Sequence, residues 1–156
     1  MNTKQSAGLV INGWSLFAHP LFLDQVLDLT QKVEVRKAKH PTTYRNERVT
    51  KRSAAIRKLA FELIPQDPTR PEYRQGGTLG SAHKHWFRAK FFQQYCLFFR
   101  FHSASKIIVY AWVNDEKTSC AYGSKSDAYR IFHRILAAGN PRDRWDRLLA
   151  EAEAMR

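Results

Sequence analysis

Apolar positions early in the chain recur at helical spacing. Phe22, Val26, Leu29 and Val33 stand three or four apart, with Leu23 and Leu27 beside them, which predicts a helix over residues 20–39. It should stop at His40, because Pro41 pushes the residue before it out of the helical region. Thr42 or Thr43 is placed to cap the next helix. That second helix is predicted over 44–64, with Val49, Ile56, Ala60 and Leu63 on one side and Arg45, Arg48, Lys51, Arg52, Arg57 and Lys58 elsewhere. Such a basic surface either holds a polyanion or simply solvates the helix, and the sequence leaves both open.

From Pro65 to His85 the stretch PQDPTRPEYRQGGTLGSAHKH reads as a long connection, a kind of loop that often carries function. Its Gly76, Gly77 and Gly80 lack the Lys-Ser/Thr ending and the preceding strand of a phosphate-binding loop. After His85 the period becomes two. WFRAKFF, YCLFFRFH and KIIVYAWVN, joined at Gln93-Gln94 and Ser103-Ala104-Ser105, predict an antiparallel meander. Helical spacing returns over 125–138 through Tyr129, Phe132 and Leu136 and stops at Gly139 and Asn140-Pro141. RDRWDRLLAEAEAM predicts a last helix with Trp145, Leu148 and Leu149 on its apolar side. The pattern is α/β in the α+β sense: one domain over 1–156, with 1–12 as a flexible arm and no internal repeat.

Composition adds mainly charge. A chain of 156 residues with 44% hydrophobic content can bury a core without metals or disulfides. Its 26 Lys plus Arg against 14 Asp plus Glu give a net charge of +12, a field that gathers polyanions such as nucleic acid. The opening MNTKQSAGLVINGW is polar and no run approaches a membrane span, so a cytosolic protein without membrane contact is expected. A reducing compartment would keep Cys96 and Cys120 as thiols.

Strand alternation places Trp86, Arg88, Lys90 and Phe92 on one face, and Cys96, Phe98, Arg100 and His102 on one face of the next strand. If the strands pair through Gln93-Gln94, the two sets share a face. Cations among aromatic rings are the footprint of a nucleic-acid site, although charges on the open face of an antiparallel sheet are also routine. Cleaving RNA needs a base for the 2′-hydroxyl proton, cations for the phosphorane and an acid for the leaving oxygen. Lys90, crowded by Arg88 and Arg100, is the candidate base, its pKa lowered by like charge, with the arginines as phosphate clamps. No metal or other cofactor is required. His83 and His85 have the spacing of a ligand pair and alternatively of proton carriers.

The runs LGSAHKHWFRAKFF, YCLFFRF and above all WVNDEKTSCAYGSKSDAYRIFHRIL resemble the YhaV family of bacterial type II toxins, within the RelE superfamily of mRNA interferases, over about residues 12–147. The resemblance implies a RelE-like fold, two helices against an antiparallel sheet, and ribosome-dependent endonucleolytic cleavage of mRNA. It also implies neutralisation by a PrlF-like antitoxin of the swapped-hairpin AbrB type, through which operator DNA would be bound. Arg88, Lys90 and Arg100 match the family's basic positions, and Tyr129, with Tyr122 as rival, is similar to a base-stacking tyrosine. Lys84, His85, Trp86, His102, Lys117 and Lys125 complete the expected RNA contacts.

Cys96 and Cys120 stand where the family pattern has arginines, at positions expected to contact phosphate and so to count in catalysis. Cysteine has neither the fork of donors nor the permanent charge of a guanidinium. Three readings are open: an attenuated or inactive toxin, activity retained through Arg88, Lys90, Arg100, Lys117 and Lys125, or a disulfide that gates the site. A non-catalytic module binding RNA, ribosome or antitoxin is the alternative from a different class. No helix-turn-helix pattern supports DNA recognition by this chain alone.

Overall fold

Helix α1 (Pro20–Lys39) has the bounds its periodicity predicts. His19 caps it by accepting the Leu21 N–H on Nδ1 at 3.2 Å, and Pro20 occupies the first turn, where its missing N–H costs nothing. Arg36, Lys37 and Lys39 sit in the last turn, on the negative end of the helix dipole. The computed structural model describes residues 8–76, 78–120 and 127–155. Helix α2 (Arg48–Lys58) begins later than the expected residue 44, because Tyr44–Asn46 forms a separate 3-10 turn and Thr43 makes no side-chain cap. Arg36 bonds Glu47 at 2.7 Å and so fastens the end of α1 to the start of α2. Leu59–Leu63 then widens into a π-helical turn leading to α3 (Ile64–Gln66), where Pro65 has no N–H to donate.

The remaining framework is a six-stranded mixed sheet. Strand β3 (Phe87–Phe91), β4 (Tyr95–His102) and β5 (Ile107–Val113) form the expected antiparallel meander. Strand β2 (Trp14–Ala18), which hydrophobic periodicity does not announce, pairs in parallel with β5. Strand β1 (Val10–Ile11), within the stretch expected to be an arm, pairs antiparallel with β2. Helix α4 (Asp127–Ala137) ends as expected at Gly139, whose φ of 79° suits a left-handed cap, with its N–H bonded to the Leu136 carbonyl at 2.9 Å. Helix α5 (Trp145–Glu151) is shorter than the run to Met155 suggests. Extended backbone at Ala152 ends it, and β6 (Glu153–Ala154) joins β2.

Two helical layers cover the sheet. Leu16, Leu97, Phe99, Ile108 and Tyr110 face Phe22 and Leu29 of α1 and Ile56 of α2, and the Tyr110 hydroxyl donates to the Ala60 carbonyl at 2.5 Å. The opposite face carries Phe17, Cys96, Phe98 and Val109 against Phe132 and Leu136 of α4 and Leu148 of α5. A bulge leaves Ala111 between the pairs Phe98–Trp112 and Phe99–Tyr110, so Ala111 and Trp112 both pack into this second core.

Candidate functional site

Register bears out the shared face. Arg88 pairs with Phe98 and Lys90 with Cys96, so the two mixed sets lie on one side of the sheet. That side is closed rather than open, because α4 and α5 cover it. Trp86 is fully buried, with its ring 5.0 Å from Phe132, and Phe98 stacks on Phe132 at 4.2 Å. Neither ring presents a surface to a base. Phe92 leaves the face altogether: it sits in the β3–β4 turn with φ 50° and is exposed.

The expected cluster of Arg88, Lys90, Arg100 and His102 is also drawn apart. Arg100 stands four residues beyond Cys96 on β4, roughly 13 Å along the ladder from the Lys90 pair. The crowding on which Lys90's role as base rested is therefore not formed by Arg100. Arg88 is half-buried; its Nε donates to the Tyr129 hydroxyl at 2.8 Å and its Nη1 to the Glu72 carbonyl at 2.6 Å. Tyr129 is only 3% exposed, edge-on to Phe98, so its ring is shut off from a base and its hydroxyl serves Arg88. Lys90 is exposed at the edge of the sheet. With Arg70, Glu72, Tyr73 and Arg88 it lines a cleft of about 380 Å³.

Arg100 belongs to a different cluster, whose hub is Asp143. One carboxylate oxygen of Asp143 accepts the Trp86 indole N–H at 2.8 Å and meets His85 Nε2 at 2.8 Å and His83 Nδ1 at 2.9 Å. Arg100 Nη1 donates to the Asp143 backbone carbonyl, and its guanidinium lies 5.7 Å from the Trp86 ring and 5.4 Å from Trp145. Burial lowers the Arg100 pKa, opposed by the Asp143 charge. Burial by itself would raise the Asp143 carboxyl, but hydrogen bonds from Trp86, His85 and His83 and the charge of His85 outweigh it and hold the pKa below the usual range. His102 stacks on Trp145 and bonds Ser105 outside this hub.

His83, His85 and Asp143 bring their ligand-capable atoms within 4.8 Å of one another. The shared oxygen already takes three contacts and the Arg100 cation sits on the backbone carbonyl of the same residue, so this donor set suits a carboxylate holding two rings better than a second cation. His133 of α4 packs its ring 5.8 Å from His83. It lines a second cleft, of about 660 Å³, with Tyr129, Arg130 and Arg134. Neither Asp143 nor His133 stands out in the sequence. Asp143 lies 58 and 60 positions from the histidines it holds, a pairing no local pattern encodes.

Cys96 and Cys120 are joined in a disulfide, with 5.7 Å between α-carbons. Both are fully buried beneath α4, so neither position reaches phosphate in this arrangement, contrary to expectation. The pairing that a redox gate requires is formed. Buried Asn114 braces the same corner by accepting the Cys96 N–H at 2.7 Å and donating to the Gln94 carbonyl. Lys84 and Lys117 are exposed, Lys84 near the histidines in sequence and Lys117 in the turn after β5. Tyr122 and Lys125 lie outside the described residues, as does Gly77.

No helix among the described residues is long and apolar enough to cross a membrane. No solved structure matches the chain significantly. The chain is 41% identical over 145 residues to the ribonuclease toxin YhaV of Escherichia coli strain K12, covering 92% of this chain and 94% of the relative. The toxins YhaV of Escherichia coli O157:H7 and O6:H1 match equally. Residues 16–153 match the profile of a family described as a toxin with endonuclease activity, of a toxin-antitoxin system. That match spans both helical layers and most of the sheet between them, and the chain belongs to the YhaV toxin family.

Proposed function

We propose that the protein is an endoribonuclease that cleaves mRNA and binds it along a cationic path over the β3 edge and α4. The observation carrying this reading is the Arg88–Tyr129 hydrogen bond, because Arg88 lines the cleft with Arg70 and Lys90, and Tyr129 lines the cleft with Arg130 and Arg134. That bond ties a lining residue of one cleft to a lining residue of the other. Arg70, Lys90, Arg130 and Arg134 are exposed on the path and suited to phosphates, as the net charge of +12 favours.

Cleavage takes the metal-free route: the 2′-oxygen attacks phosphorus, the bond to the 5′-oxygen breaks, and a 2′,3′-cyclic phosphate and a 5′-hydroxyl result. In this reading Lys90 and Arg88 hold phosphate, and Lys90 is not the base. The reaction occurs on translated mRNA in the ribosomal A site, in the cytoplasm. A PrlF-like antitoxin of the swapped-hairpin type is the partner, and operator DNA is met only through that complex.

Primer extension on an mRNA translated in a purified bacterial system tests the proposal. New 5′ ends bearing hydroxyls support it. Salt-sensitive RNA binding without any product would select the non-catalytic module instead.

A further inference from the structure

We infer that His83 and His85 are the proton-transfer pair of this ribonuclease and that Asp143 is the residue positioning them. The inference rests on the ribonuclease reading above and adds to it a site on the loop preceding β3. His83 ends the 3-10 turn Ser81–His83, and His85 lies just before the buried Trp86, so a rigid indole anchors the short HKH stretch. Both rings turn back onto one oxygen of Asp143. An imidazole held by one nitrogen on a carboxylate keeps a fixed orientation and tautomer, leaving its other nitrogen for a reacting group. The nitrogens left over are Nε2 of His83 and Nδ1 of His85.

Anchoring the 140–143 segment does not require two histidines. Trp86 already donates to the Asp143 carboxylate and Arg100 to its carbonyl. The imidazoles are instead partly open, with side chains 19% and 37% exposed. His133 connects His83 to the cleft of Tyr129, Arg130 and Arg134, where the proposed path carries RNA. Among the described residues, the charged and titratable groups around the pair are Asp143, Arg100 and His133, with Lys84 between the two histidines in sequence and Arg130 and Arg134 adjoining His133 on α4.

Imidazoles exchange protons near neutral pH, which suits a reaction needing a base and an acid in one turnover. One ring, neutral, takes the 2′-hydroxyl proton as the 2′-oxygen forms its bond to phosphorus. The other, protonated, gives its proton to the 5′-oxygen as the bond between that oxygen and phosphorus breaks. The rings end with exchanged protonation states, and solvent restores them.

The test compares wild type with the His83→Gln, His85→Gln double variant in the translated-mRNA assay, alongside RNA affinity and thermal unfolding. Cleavage should fall by about 100-fold or more, with affinity and unfolding close to wild type. Asp143→Asn, at a residue that holds both rings and the Trp86 indole but is placed on no reacting atom, should displace the pH–rate profile while RNA affinity is kept. If the double variant does not fold, His85→Gln alone, at the more open ring, carries the same expectation. Equal cleavage by wild type and variant would overturn the inference and leave the ribonuclease reading standing. So would a protein that loses cleavage after treatment with EDTA and removal of the chelator before the assay, and regains it when reloaded with zinc. A wild type that makes no product would instead defeat the ribonuclease reading, and this inference with it.

Discussion

The two faces of the sheet are built from the same strands but solve different problems. Under α1 and α2 the packing is almost wholly apolar, Leu16, Leu97, Phe99 and Ile108 against Phe22, Leu29 and Ile56, with the Tyr110 hydroxyl satisfied by one carbonyl. Under α4 and α5 an apolar centre of Phe98, Phe132 and Leu136 is flanked by polar groups: the Arg88–Tyr129 pair, the Asp143 hub and the Cys96–Cys120 disulfide. The half-buried Arg100 guanidinium has the Asp143 carbonyl and two indole rings to offset its desolvation, although its Nε finds no partner among the described residues. The first face therefore contributes stability, and the periphery of the second holds the groups to which we assign RNA chemistry.

This contrast can be broken in several ways. The largest expected effect is on the first face: Phe22→Ala, at a fully buried ring that lines neither cleft, should cost about 3–5 kcal/mol in urea unfolding, while the fraction that stays folded cleaves RNA at the wild-type rate. Loss of specific activity would show that the faces are not separable. On the second face, reducing the disulfide opens a loop whose ends are 24 positions apart, and a chain-entropy estimate gives about 3.5 kcal/mol. Calorimetry with and without reductant should show that loss, and no change on reduction would mean the thiols are unpaired in solution.

Smaller effects sharpen the comparison. Tyr129→Phe removes one hydrogen bond to a charged group, for about 1.5–3 kcal/mol, and double-mutant cycles with Arg88→Ala should recover most of it as coupling. Additive single effects would indicate that the pair is not formed. The smallest effect is electrostatic. Asp143 has a folded-state pKa below its unfolded value of about 3.9, so its contribution is present above the unfolded pKa and is lost as pH falls through the folded one. Unfolding measured from pH 5 towards pH 2 should therefore lose stability in wild type, and Asp143→Asn should lose less. Identical acid profiles would remove the hub from the account.

How much of the molecule is legible in the sequence depends on the range of the interactions. Helix α1, the β3–β4–β5 meander and the Gly139 stop are set by local periodicity and local backbone chemistry, and they are legible. Strand β2 is not, because Trp14–Ala18 is a short apolar run buried on both faces, with too little alternation to announce itself. Strand β6 reads as helix because AEAEAM has high helix propensity, which pairing with β2 overrides. Alternation correctly puts Arg88, Lys90 and Arg100 on one face. That this face lies under α4 is not encoded locally, because the amphipathic stripe of a helix does not name the surface it covers. Asp143 is hidden for the same reason: its partners lie far away in sequence and meet it only through the packing of α4 and α5.

The central claim is that RNA is handled along the β3 edge and α4 rather than on the equally basic α2. The most direct measurement is single-turnover mRNA cleavage by two triple variants that remove the same charge. One is Lys90→Ala, Arg130→Ala, Arg134→Ala, and the other is Lys51→Ala, Arg57→Ala, Lys58→Ala, whose residues are exposed on α2. The account predicts that the first loses cleavage and the second retains it. Equal losses, or a loss confined to the α2 variant, would contradict it.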